Sequence, residues 1–255
     1  MQDETSIEEY LAAGGKLSSP DNATSRYRGE VMRLMAVFVD SELAGAAGFA
    51  DSINRAPGIT ERIVAARIVL EKFAHAERVL KLMEEFGANT SRYVKHHPWA
   101  NRLDRSADLG TRRMEGDMRL NIFHYPMNDW CDAVTMNTLM GSATGVQLEE
   151  LGGCSYQPLA DAMIEILPVE NHHAELGETG LRKLITEGYD KTSAQASVNY
   201  WYPRVAATFG RADSDHLEIY RCYGLRAHSN EELLAHWEER AGRALAALDL
   251  AVPHK

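Results

Sequence analysis

Four long stretches of this chain carry apolar residues three and four positions apart, and almost nowhere do apolar and polar residues alternate as a half-buried strand requires. In the first, Val31, Leu34, Met35, Phe38 and Ala46 share a face from residue 25 until the pattern fades at 48–54. The second begins at Thr60, just after Pro57, and runs to 86, where Gly87 is placed to cap it. The third covers 129–151, is small and apolar in its middle, and stops at Gly152 and Gly153. The fourth covers 158–187, and shorter helices are predicted at 193–209 and 231–248. A polar connection at 88–117, with one short helix, implies a crossover between the second and third. The pattern predicts one all-α domain over 25–255, a four-helix bundle with additional peripheral helices. Residues 1–24, with Gly14, Gly15, Ser18, Ser19 and Pro20, are expected to form a flexible arm that adds little to the core.

The side chains also exclude classes of function. With 37 acidic against 27 basic residues the formal charge is −10, and no Lys/Arg block could neutralise a run of phosphates, so nucleic acid is not an expected partner. No uncharged apolar run approaches the ~18 residues needed to cross a bilayer, and residues 1–19 lack the apolar centre of a signal peptide. Cys131, Cys154 and Cys222 are odd in number and widely spaced, which predicts free thiols in a reducing cytoplasm.

In such a bundle the inward stripes should be apolar, so ionisable groups that interrupt them are informative. Glu42 lies at the centre of the stripe Leu34, Phe38, Ala46 and Phe49. The second helix places Lys72 and His75 one turn apart among Ala65, Ile68, Val79 and Leu82. The fourth places Glu170 and His173 in the same relation among Met163, Ile166, Gly177 and Leu181, the Glu-x-x-His spacing of carboxylate-bridged metal bundles. Any one of these recurs by chance, and a single inward His is commonly a hydrogen-bonded core residue. Together, Glu42, His75, Glu170 and His173 form a candidate metal site suited to iron or manganese and acceptable to zinc. Lys72 should either lose its proton or pair with Glu42 or Glu170. Glu71, in a row with Arg67 and Arg78, is read as a surface ion-pair residue. Asp129 and Asp132 are read as capping or solvated residues, His96-His97-Pro98 as loop, and Tyr200-Trp201-Tyr202-Pro203 as aromatic packing. His172 should point away from the site.

These residues resemble the ferritin-like phenylacetyl-CoA epoxidase subunits, more closely the catalytic A subunit than the structural C subunit. Asp40-Ser41-Glu42 resembles the family's first ligand segment, and Ile53-Asn54-Arg55-Ala56-Pro57 the turn after it. His124-Tyr125-Pro126 with Trp130, Cys154-Ser155-Tyr156, and Val169-Glu170-Asn171-His172-His173 resemble later family segments, as do Trp201-Tyr202-Pro203, Phe209-Gly210 and Ser229-Asn230-Glu231-Glu232-Leu233. The resemblance implies a fold in which two irons activate dioxygen and epoxidise a CoA-bound aromatic ring, with electrons from a reductase. It also implies departures: Lys72 stands where the family has a bridging Glu, and Gly141 where it has an Asp.

Two readings follow. In one, the chain is a divergent non-heme oxygenase in the cytoplasm, holding one iron, or manganese, on Glu42, His75, Glu170 and His173, with a CoA thioester as its small-molecule substrate. Lys72 is then the catalytic residue, replacing the second cation, donating a proton, or attacking a carbonyl if burial lowers its pKa. In the other, Lys72 neutralises Glu42 and Glu170 and the chain is a metal-free structural subunit that binds a catalytic partner. Reductase or sister subunits and a homo- or hetero-oligomer are expected in either case. Lys72→Glu with Gly141→Asp is expected to create a second metal position.

Overall fold

In the computed structural model, which describes residues 2–253 apart from 115 and 215, local capping chemistry sets the ends of the long helices. Thr24 accepts a hydrogen bond from the Tyr27 amide and starts α2, Ser25–Ser52. Helix α3, Ile59–Glu85, ends beside Gly87, whose φ of 86° is the left-handed value expected of a terminating glycine. Asp129 caps α5, Trp130–Leu151, by accepting from the Asp132 amide, and α6 follows as Gln157–Thr186. The shorter helices are α1, Gln2–Ala12; α4, Thr90–His96; α7, Lys191–Ala206; α8, His216–Cys222; and α9, Asn230–Ala246. A capping box formed by Ser229 and Glu232 opens α9.

Short turns join α2 to α3 and α5 to α6, so each pair packs as a helical hairpin. Contacts of α3 with α6 and of α2 with α5 close the bundle, while α7 and α9 cover α5 from outside. One apolar cluster fills the space between α5, α7 and α9 around Leu139, Trp201 and Trp237. The other lies between α2, α3 and α6 around Tyr27, Met35, Val79 and Met163. The all-α bundle with peripheral helices read from the sequence is the observed architecture. Among the described residues there is no strand, only the isolated backbone bridge between Leu17 and Tyr156. Among the described residues no helix is long and apolar enough to cross a membrane, and Cys131, Cys154 and Cys222 are free thiols.

Two local readings change. The N-terminal segment reaches the core: Leu11 is 1% exposed. Backbone hydrogen bonds of 2.8 Å run from Leu17 N to Ser155 O and from Gln157 N to Leu17 O. Helix α8 lies between the two short helices predicted at 193–209 and 231–248, where no helix is predicted; seven residues are too few to establish a period.

Candidate functional site

Glu42 on α2, Lys72 and His75 on α3, and Glu170 and His173 on α6 all point into the bundle and are buried. Lys72 Nζ donates to Oε1 of Glu42 at 2.9 Å and to both carboxylate oxygens of Glu170 at 3.0 Å. His75 Nδ1 lies 3.0 Å from Oε1 of Glu170 and 3.2 Å from Oε2 of Glu42. Both neighbours of that nitrogen are acceptors, so it carries a proton. The His173 ring lies 6.2 Å from that of His75 and presents Nδ1 to Oε1 of Glu170 at 3.4 Å. The Asn137 amide, from α5, donates to the His173 carbonyl at 2.6 Å.

Burial is the largest influence on Lys72 and opposes its charge, but the carboxylates of Glu170 and Glu42 outweigh it and hold the ammonium above its ordinary range. The route in which burial lowers Lys72 to make it a nucleophile is therefore reversed here. The same contest lifts His75 to about 9, burial pulling down and the hydrogen bonds to Glu170 and Glu42 pushing up. For Glu170, burial pushes up, yet the Lys72 charge and the hydrogen bonds from His173 and His75 hold it well below the usual carboxylate range. The carboxylates of Glu42 and Glu170 thus both face the Lys72 ammonium and the protonated Nδ1 of His75.

Glu71 is a correction to the sequence reading. Arg78 pairs instead with Glu165, and Oε2 of Glu71 lies 2.6 Å from Nε2 of the fully buried His173. Its side chain is 32% exposed, so it turns from the surface toward the site. Asp132 is neither solvated nor merely near a helix end: it accepts from Arg105, Ser197, the Trp201 indole and the Asn128 amide. Nothing in local spacing announces these partners, which come from residues 105 and 197–201. His172 does point outward, pairing with Glu175 on the surface. His97, placed in a loop by the sequence, has a buried ring 3.1 Å from Asp40.

A cavity of about 530 Å³ opens beside this cluster. Glu42 and Ser41 line it together with Phe38, Phe123 and Met140, and Arg33, Arg113 and Arg226 line it as well. Arg33 contacts His216 at 3.3 Å, Arg113 donates to the Met118 carbonyl at 2.8 Å, and Nε of Arg226 is buried with no hydrogen-bond partner.

Comparison with known proteins places these features in a group. A family model described as Phenylacetic acid catabolic protein matches residues 5–255. The chain belongs to this family. Its relatives within the phenylacetic acid catabolic family include the A subunit of 1,2-phenylacetyl-CoA epoxidase from Escherichia coli (strain K12), 23% identical over 259 residues that span 99% of this chain and 78% of that protein.

The two-iron centre implied by the resemblance can be tested against the residues present. Glu42, His75 and Glu170 are donors of the right kind, with ligand atoms within 4.8 Å of one another. The space among them is taken by the Lys72 ammonium. At Gly141 a Cβ would lie 3.0 Å from both Cα and Cβ of Ala174, so a side chain there requires α5 and α6 to shift apart. The residues of this phenylacetic acid catabolic family member do not fit a two-metal centre. A second donor group, Asp40, His97 and Asp117, also lies within 4.8 Å. There Asp117 is already held by Arg119 Nε through both oxygens, and Asp40 by the Tyr93 hydroxyl and the Met118 amide.

Proposed function

We propose that this chain is a divergent subunit of a multicomponent oxygenase acting on aromatic acyl-CoA thioesters, and that it binds and orients the thioester. The observation that carries this reading is the cavity whose lining combines the guanidinium groups of Arg33, Arg113 and Arg226 with the buried carboxylate of Glu42. A CoA thioester is anionic at its nucleotide end and apolar at an aromatic acyl end, and the lining supplies both guanidinium groups and apolar side chains. Arg33, Arg113 and Arg226 would meet phosphate oxygens with planar, permanently charged donors. Phe38, Phe123 and Met140 would surround the ring and exclude water from it. Membership in the phenylacetic acid catabolic family, and the name of the E. coli relative, support the same substrate class. Reductase and sister subunits are the partners this reading requires, and the metal site is the altered one in which Lys72 stands among the former ligands.

Calorimetric titration of the purified chain with phenylacetyl-CoA, CoA and free phenylacetate tests the reading. Phenylacetyl-CoA should bind tightest, weaken as salt is raised, and lose roughly tenfold or more in affinity in Arg33→Ala with Arg113→Ala. Absence of thioester binding, or binding indifferent to those two substitutions, would overturn it.

A further inference from the structure

We infer that the Lys72 ammonium is the resident cation of this site, so that the folded chain holds no metal ion among Glu42, His75 and Glu170 and becomes a one-metal protein when Lys72 is removed. An ammonium has three N–H donors, and Lys72 aims them at three carboxylate oxygens 2.9–3.0 Å away. Its hydrogen-bonding capacity is therefore filled without water. A transition-metal ion would need to stand about 2.0–2.2 Å from the same oxygens, in the volume that Nζ occupies. The two cations exclude each other on steric grounds before their repulsion is considered.

The Lys72 stem passes α2 at Gly45. Gly45, three residues beyond Glu42 on α2, has no side chain where the Lys72 stem passes; a Cβ there would lie 3.4 Å from Cδ and 3.6 Å from Cε of Lys72, and 3.2 Å from Phe123. Helices α5 and α6 approach closely at Gly141 and Ala174. Lys72 is 5% exposed, Glu42 3% and Glu170 1%, so bulk water cannot supply the compensation that the ammonium provides. Removing the lysine leaves two buried carboxylates and one imidazole with ligand atoms within 4.8 Å of one another, an arrangement that a divalent ion would neutralise.

This inference rests on the side-chain geometry and not on the acyl-CoA reading: thioester binding and metal content are separate measurements, and either can fail alone. The test loads wild type, Lys72→Ala and Lys72→Met with Mn²⁺ or Zn²⁺, removes free ion by gel filtration, and counts metal per chain by elemental analysis. Melting curves are recorded with the ion and with a chelator. Wild type should retain almost no metal and melt at the same temperature under both conditions. Lys72→Ala should retain about one ion per chain and melt several degrees higher with metal than with chelator. Lys72→Met, which keeps the length of the stem without its charge, should show the same metal-dependent melting if the alanine variant does not fold. About one ion in wild type, lost in His75→Ala, would overturn the inference. So would a folded Lys72→Ala or Lys72→Met protein whose melting ignores the ion.

Discussion

Glu71 and His173 meet at 2.6 Å across the α3–α6 interface, and a carboxylate can only accept, so Nε2 of His173 carries the proton and Nδ1 is left facing Glu170. The pair places a proton on one nitrogen of a fully buried imidazole from a residue that is itself partly in solvent. Glu71→Ala strands a buried N–H and should cost about 1–3 kcal/mol. Glu71→Gln keeps an acceptor in place and should cost less than half as much. Urea denaturation of the three proteins checks the order, and an alanine variant as stable as wild type would remove Glu71 from the site.

Glycine positions on the α5–α6 seam predict stability changes of opposite sign to one on the surface. A Cβ at Gly177 would lie 2.6 Å from the Thr138 backbone nitrogen and 2.9 Å from its hydroxyl, contacts that only a movement of the helices can relieve. Gly177→Ala should destabilise by about 3 kcal/mol and Gly141→Ala, with contacts of 3.0 Å, by about 1–2 kcal/mol. Gly29, exposed on α2 with nothing within 4 Å of an added Cβ, should go the other way. Gly29→Ala is expected to stabilise by about 0.5–1 kcal/mol through helix propensity. Thermal and urea unfolding of the three single variants would read both signs.

Asp132 gathers partners from three parts of the chain: Arg105 in the crossover, Ser197 and Trp201 on α7, and the amide of Asn128. Its carboxyl is pushed up by burial but held below the usual range by the hydrogen bonds from Arg105, Asn128 and Ser197. Asp132→Ala leaves the Arg105 guanidinium and the Trp201 indole without this acceptor and should cost about 3–5 kcal/mol. Denaturant midpoints together with the near-ultraviolet signal of Trp201 would report it.

His124 supplies the expected pH dependence. Burial, then the positive charge of Arg119, lowers its pKa from the ordinary 6.5 to about 4. Between those values the unfolded chain binds a proton that the folded chain refuses, so stability rises with pH through that window. The contribution is complete above about pH 6.5 and is lost progressively as the pH falls to about 4, by an amount on the order of 1–3 kcal/mol. His124→Gln should flatten the stability profile over that interval; a profile unchanged by the substitution would mean that another group carries the acid sensitivity.

What could be read in the sequence depended on how far apart the partners lie. Glu42, Lys72, His75, Glu170 and His173 interrupt strong helical stripes, so their shared inward direction follows from periodicity within each helix, and the structure brings all five together. Glu71 precedes Lys72 by one residue and sits on a charged row, and its turn toward His173 depends on the position of α6, which no local pattern encodes. Asp132 shares that difficulty with partners 27 to 69 residues away. The cavity wall at Phe123 comes from a short 3-10 turn, Asn121–His124, inside a connection with no period to detect.

The backbone pairing of Leu17 with Ser155 and Gln157 ties together segments separated by nearly 140 residues of chain. Lys16 reinforces it by donating to the carbonyls of Gly153 and Cys154 at 2.6 Å, and the Leu11 carbonyl lies so close to Gly224 that a Cβ there would stand 3.2 Å away. During synthesis, residues 11–17 leave the ribosome long before residues 153–157 and 224 exist to receive them. The apolar side of Leu11 must therefore wait, exposed, through the making of nearly the whole bundle, and a segment made before that bundle is among the last to be seated.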